Sequence, residues 1–201
     1  MDDAMAARRP LARISPPIAV AALALVLPLA GCGGAPLDTY DLYAARPAAT
    51  RALGGRLRIA EPVASLDLDS DRILVRTEAH QMAVLAGAKW PDRLTSVVQM
   101  RVAQSFQNAG LTREVSTNPA AAADYQLDLD IRRFDLDVAA SRVEIDIAAK
   151  LVAAKGGVIA ADIFTAEAPV ASTAPTTVVA AMNDALASVM KRIVAFVAAR
   201  L

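Results

Sequence analysis

The chain has 201 residues, with 21 basic and 21 acidic side chains and a formal net charge of zero. That balance gives a nucleic acid no cationic surface to bind, and one cysteine beside one histidine excludes a disulfide framework and falls short of a zinc site. Aromatic residues are only 4% of the chain, so its core has to be built from Val, Leu, Ile and Ala.

The start carries Arg8, Arg9 and Arg13, followed by an uncharged apolar run from Ile14 to Ala30 and then Leu29-Ala30-Gly31-Cys32. A basic start, an apolar stretch and small residues before a break are the three parts of a secretory signal. The cysteine adds a thiol that can be alkylated by diacylglycerol. Residues 1–31 are therefore expected to be a lipoprotein signal peptide, with Cys32 the lipidated first residue of the processed chain. A transmembrane anchor is the competing reading. The run is short for roughly 30 Å of hydrocarbon and is interrupted by Pro16 and Pro17. Gly33, not aspartate, follows the cysteine, which in the sorting logic of Gram-negative lipoproteins favours the outer membrane. Processing would leave about 170 residues, one ordinary domain.

Residues 32–38 are a lipidated tether and 39–201 the domain. Thr39–Tyr43 alternates weakly and predicts an edge strand, and 46–55 reads as a loop. Leu57 and Ile59 mark a strand that stops near Pro62, with Val63 as a candidate extension, and Leu66–Ser70 is a polar turn. Residues 72–76 and 80–85 predict two strands lying side by side. Lys89-Trp90-Pro91-Asp92 opens a helix, with Pro91 suited to its first turn and Asp92 to its positive end. Leu94, Val97, Val98, Val102 and Phe106 give that helix an apolar stripe, and Gly110 is placed to cap it.

The middle of the chain alternates strictly. Tyr125, Leu127, Leu129 and Ile131 are apolar, then the phase slips to Phe134, Leu136 and Val138, which predicts a bulge at Arg132-Arg133. A link at 139–141 and a turn at Lys155-Gly156-Gly157 join three long strands into an antiparallel meander. A last helix runs from 173–175, with Thr173 as its cap, to the C-terminus. The expected fold is α+β: two layers, a mostly antiparallel sheet with two main helices on one face. The other face carries Asp128, Asp130, Glu144, Asp146 and Lys150 and is left for water or a partner.

No reactive set is visible. His80 is the only histidine and no nucleophile elbow accompanies it. Asp67, Asp69 and Asp71 with Glu78 imitate calcium-loop spacing, but Arg72 stands where that loop needs glycine. No catalytic residue, cofactor or metal is expected.

Several segments, in this order, resemble the ABC-type transport auxiliary lipoprotein family. They are Thr39-Tyr40-Asp41-Leu42, Ile59-Ala60-Glu61-Pro62-Val63, Leu68-Asp69-Ser70-Asp71-Arg72-Ile73 and Ala86-Gly87-Ala88-Lys89-Trp90-Pro91-Asp92-Arg93-Leu94. They continue with Ala123-Asp124-Tyr125-Gln126-Leu127, with Phe164 before Glu167, and with an Ala-rich last helix containing Asn183. The match runs roughly from Tyr40 to Leu201. The resemblance implies an accessory lipoprotein of an intermembrane lipid transport system, held at the periplasmic side of the outer membrane by its lipid anchor. Its implied partners are an inner-membrane ABC permease with its ATPase and a mammalian-cell-entry (MCE) type periplasmic protein. Some relatives form rings, which leaves a homo-oligomer open. The family supplies no catalytic residues, and Cys32 is the position carried over. Tyr40, Tyr43 and Trp90 are candidate partner contacts because aromatics are enriched in interface cores. For Trp90 the equal alternative is anchoring the helix start in the core. Two other functions compete: an assembly or plug lipoprotein for another outer-membrane complex, and a direct lipid carrier, which needs an apolar cavity between helices and sheet.

Overall fold

The structure is a computed structural model and describes residues 36–77 and 81–201. The predicted signal peptide and Cys32 lie outside them, as do Glu78 and His80. In chain order the elements are β1 (Asp38–Thr39), β2 (Leu57–Ile59), β3 (Val63–Ala64), β4 (Arg72–Arg76), β5 (Met82–Lys89), α1 (Leu94–Asn108), β6 (Val115–Ser116), β7 (Tyr125–Asp137), β8 (Arg142–Ala153), β9 (Val158–Pro169) and α2 (Pro175–Ala198). The nine strands form one mixed sheet, and the domain is α+β as expected.

Strand β7 is the spine of that sheet. Along one edge it pairs antiparallel with β8 over its whole length, and β8 pairs antiparallel with β9. Along the other edge it receives three short parallel strands end to end. Leu57–Ile59 lies beside Tyr125–Leu127, Val63–Ala64 beside Asp130–Ile131, and Leu74–Arg76 beside Asp135–Asp137. Strands β4 and β5 make an antiparallel pair, and β1 joins β5 in parallel. The bulge falls where the phase slip places it: Ile131 faces Ile147 and Arg133 faces Asp146, so Arg132 has no opposite residue. The extra residue keeps Leu127, Leu129 and Ile131 on the same face as Phe134 and Leu136, and all five are buried.

That face is covered by both helices. Val178, Met182, Leu186, Val189, Ile193 and Val197 form the buried stripe of α2, and Leu94, Val98, Val102 and Phe106 that of α1. Phe164 on β9 meets Phe196 of α2 edge to face at 5.4 Å between centroids.

Three expectations are corrected. The first strand is Asp38–Thr39, shorter and earlier than Thr39–Tyr43, because Leu42 leaves the edge and buries itself in the core. Helix α1 begins at Leu94, not at Pro91. Lys89 ends β5, and the Tyr40 and Trp90 N–H groups donate to Lys89 O and Asp71 O, at 2.9 and 2.8 Å, which holds the chain extended there. The preceding turn serves the helix start instead of Asp92: Leu94 N–H donates to Ser70 O at 3.0 Å and the Thr95 hydroxyl to Asp69 at 2.6 Å. Thr173 is not the cap of α2. Ala174 occupies that position without a side-chain bond, and Pro175 opens the helix, where its missing N–H costs nothing.

Gly110 ends α1 as expected. It sits at φ +93°, donates to Gln107 O at 2.9 Å, and lets Leu111 donate to Phe106 O at 3.1 Å while its side chain is buried. A Cβ at this position would touch nothing, so Gly110→Ala isolates the backbone term. The expected cost is about 1 kcal/mol, read in calorimetry as a fall in Tm of about 2–4 °C.

Candidate functional site

The three aromatic candidates end in three different environments. Trp90 is 1% exposed and packs edge-on against Phe134 with 6.1 Å between centroids, so its ring is in the core at the start of α1. Tyr40 is half-buried against the same core. Tyr43 is 70% exposed and is the one of the three that offers a free ring.

Tyr43 stands on a strap, residues 40–50, laid across both helices and pinned by their polar side chains. Asn183 of α2 accepts the Tyr43 N–H at 2.7 Å and donates to Asp41 O at 3.3 Å. Arg101 of α1 pairs with the Asp41 carboxylate at 2.5 Å, the Ser105 hydroxyl accepts the Ala45 N–H at 2.9 Å, and Asn108 donates to Ala45 O at 2.8 Å. These side chains interrupt the helices' polar faces at positions that periodicity cannot distinguish from ordinary solvated ones.

Among the described residues no element covers the sheet face opposite the helices, and one end of that face is an ion-pair ladder across four strands. Asp135 of β7 is 2% exposed and accepts from Arg76 of β4 and Arg133 of β7, both at 3.1 Å. Arg133 also reaches Glu144 of β8 and, at 3.3 Å, Asp137. Arg142 bridges Glu144 at 2.7 Å and Glu167 of β9 at 3.3 Å. Burial works against the charge on Arg133, but Asp135, Glu144 and Asp137 outweigh it and hold its pKa above the ordinary value. Asp146 keeps one buried carboxylate oxygen without a partner. This end is dense with paired charge.

Elsewhere on the same face exposed apolar side chains stand among charged ones. Leu66, Met82 and Val84 are exposed around Leu74 at the β4–β5 end. Val63 and Ile163, 64% and 51% exposed, flank a shallow trough of about 650 Å³ lined by Asp128, Asp130, Ala148, Lys150 and Ala161. Sequence reading does not single out these apolar residues. Counting back from the Gly156 turn, where Val152 faces Val158, would put Ile163 opposite Ile147 on the buried side. The register shift between Leu151 and Val152 moves it opposite Ala148, on the wet side, and no sequence pattern marks that shift. Large exposed apolar patches mark interaction surfaces. Asp69 and Asp71, the calcium-loop decoys, are spent on Arg93 and on Arg72 and Lys89. Among the described residues, no helix is long and apolar enough to cross a membrane.

Fold and surface thus define a tightly filled α+β domain whose distinguishing feature is a partly apolar sheet face that no described element covers. The chain matches the model of the ABC-type transport auxiliary lipoprotein component across residues 40–194, and it belongs to that family. Crystal structures support the fold. Protein XCC0632 from Xanthomonas campestris superposes with a TM-score of 0.71 at 27% identity, over 81% of this chain and 96% of that one. An uncharacterized protein superposes at 0.61 with 16% identity, over 82% and 97%. The uncharacterized protein bll6063 of Bradyrhizobium diazoefficiens is 33% identical over 169 residues, 81% of this chain. The chain spans about half the length, 46%, of that curated relative.

Two predictions come from the charged groups. Asp135→Asn leaves Arg76 and Arg133 without their shared counter-ion. Because both arginines are partly solvated, the expected loss is about 2 kcal/mol, below the range for a fully buried pair, measured by urea denaturation. Asp124 is held below the usual carboxylate range first by the Arg56 backbone N–H and then by its guanidinium; Asp137 is lowered first by the Ala140 N–H, then by Arg133. A carboxylate whose pKa falls on folding stabilises the fold above its unfolded pKa, and that contribution is lost as pH drops through the folded value. Stability is therefore expected to decline from about pH 4 downward, and Asp124→Asn or Asp137→Asn to flatten that decline while lowering the neutral-pH plateau.

Proposed function

We propose that this protein is the lipid-anchored accessory subunit of an ABC/MCE-type system moving phospholipid between membranes, and that it works by docking. Cys32 carries the lipid and fastens the domain to the periplasmic side of the outer membrane. More than one acyl chain is needed for lasting attachment, at about 0.8 kcal/mol per buried CH₂, and a diacylglyceryl cysteine with an N-acyl group meets that requirement. Lipid crossing water needs a shielded path, because each exposed CH₂ costs about 0.8 kcal/mol. A domain tethered at the far bilayer raises the local concentration of docking sites for a conduit arriving from the inner membrane.

The observation that carries the docking reading is the uncovered sheet face, which presents Val63, Leu66, Met82, Val84 and Ile163 to the surroundings in a domain of the transport auxiliary family. A carrier would need room for acyl chains between helices and sheet. That layer is occupied instead by Phe106, Phe134, Met182, Leu186 and their neighbours, all buried.

The test begins with anchoring. Cys32→Ala should abolish processing before residue 32 and move the protein out of the outer-membrane fraction. A wild-type product still bearing residues 1–31, with an unmodified thiol by mass spectrometry, would overturn the scheme. Tagged wild-type protein, crosslinked in membranes, should recover the permease or the MCE-type component, and recovery of a β-barrel assembly instead would favour the plug reading.

A further inference from the structure

The trough on the open sheet face has a geometry that selects its occupant, and the selection rests on the docking reading above. One row of residues crosses it from strand to strand: Val63 beside Asp130, Asp130 opposite Ala148, Ala148 opposite Ile163. Neighbouring strands are about 4.8 Å apart, so the two apolar walls rise about 14 Å from each other. The walls' own atoms narrow that gap to the lower limit for a helix of about 10 Å diameter and leave space for one extended chain. Between them lie Asp130 and the small Ala148, and Ala161 beside Ile163 on β9 keeps that side of the floor low.

Charge on the floor is uneven. In the adjacent row Lys150 stands opposite Asp128, and Asp128 also accepts from Gln126 at 2.5 Å. Asp130 faces Ala148 and, among the described residues, makes no ion pair or side-chain hydrogen bond. It is exposed, one strand from Val63 and two strands from Ile163. The lining carries Asp128, Asp130 and Asp162 against one lysine, Lys150, and this negative balance repels a phosphate headgroup and attracts a cation, while the walls favour apolar neighbours to that cation.

We propose that the Val63–Asp130–Ala148–Ile163 trough receives an extended segment of a partner protein, carrying one lysine or arginine between apolar residues. The cation meets Asp130, and the flanking side chains pack on Val63 and Ile163. Side chains of an extended strand alternate, so the apolar contacts come from residues that share the cation's face of that strand.

The experiment uses the full chain, in membranes of cells producing its transport system, with a photoreactive phenylalanine analogue at Val63 or at Ile163. Parallel samples carry it at Leu66, Met82 or Val84, and at exposed Met100 on α1 as the control. Crosslinked peptides are sequenced by mass spectrometry. Positions 63 and 163 are expected to label one segment with Lys or Arg between apolar residues, and Met100 not to label it. Asp130→Lys should lower that yield about tenfold, and Asp130→Asn by less, with Tm within a degree or two of wild type because the side chain is exposed. Labelling of lipid, of a second copy of this chain or of a segment without a cation would overturn the proposal. So would a yield indifferent to Asp130→Lys. Partner crosslinks at 66, 82 or 84 but not at 63 or 163 would sink the trough and leave docking intact. Silence at all five positions would sink both.

Discussion

Strand β7 is hydrogen-bonded on both edges, and this constraint organises the molecule. Its edge toward β8 is an ordinary antiparallel ladder, but its other edge is tiled by three separate strands of two or three paired residues each. Such short strands have no stability of their own, since even an isolated hairpin is marginal in water. They exist because β7 presents a preformed row of donors and acceptors. The bulge at Arg132 then matters well beyond one residue. Without it, either the first or the second half of β7 would turn its apolar side chains to water, and the strands docked on that half would lose their template.

The strap across the helices is the second consequence. Residues 41–45 have no ladder to join, so their backbone groups bond to side chains of Ser105, Asn108 and Asn183, while Arg101 pairs with the Asp41 carboxylate. Polar groups buried or half-buried in this way cost more to strand than they gain when paired. The arrangement therefore favours one seating of the strap over many. It also ties the segment nearest the N-terminus of the described domain to both helices at once, so a pull on residue 38 is borne by α1 and α2 together with the β1–β5 pair.

Much of the fold was legible in the residues because long elements carry long patterns. The two helical stripes, the β7 phase slip and the glycine turns each involve several residues repeating one period, and the register follows from them. The helix starts were less legible. Pro91 and Asp92 have the chemistry of a first turn, but tertiary bonds from Tyr40 and Trp90 hold that segment extended, and an adjoining turn supplies the acceptors. The parallel tiling of β7 could not be read at all, since each of its contacts involves only two or three paired residues and no period encodes which strand is the partner. The site divides in the same way. The Cys32 expectation rests on a local motif of four letters and lies outside the described residues. The exposure of Val63, Met82 and Ile163 is a property of register and of which face the helices leave bare, and no local pattern contains it.

The open face poses the opposite problem to the core: it has to be apolar enough to bind and polar enough to stay dispersed. At one end the ladder from Arg76 to Glu167 fills the surface with paired charge. Burying Asp135 there brings little stability, since replacing such pairs with apolar groups is often neutral or better. An apolar replacement would, however, join the Leu74–Met82–Val84 patch to the β8–β9 half of the face and make one continuous adhesive surface, of the kind that soluble domains avoid. Seen in this way the ladder is a partition. It keeps two apolar areas separate, each with its own shape, and leaves Asp130 as the charge that discriminates within one of them. A surface divided like this suits a protein that acts by contact, because a wrong partner then meets a misplaced charge as well as a poor fit.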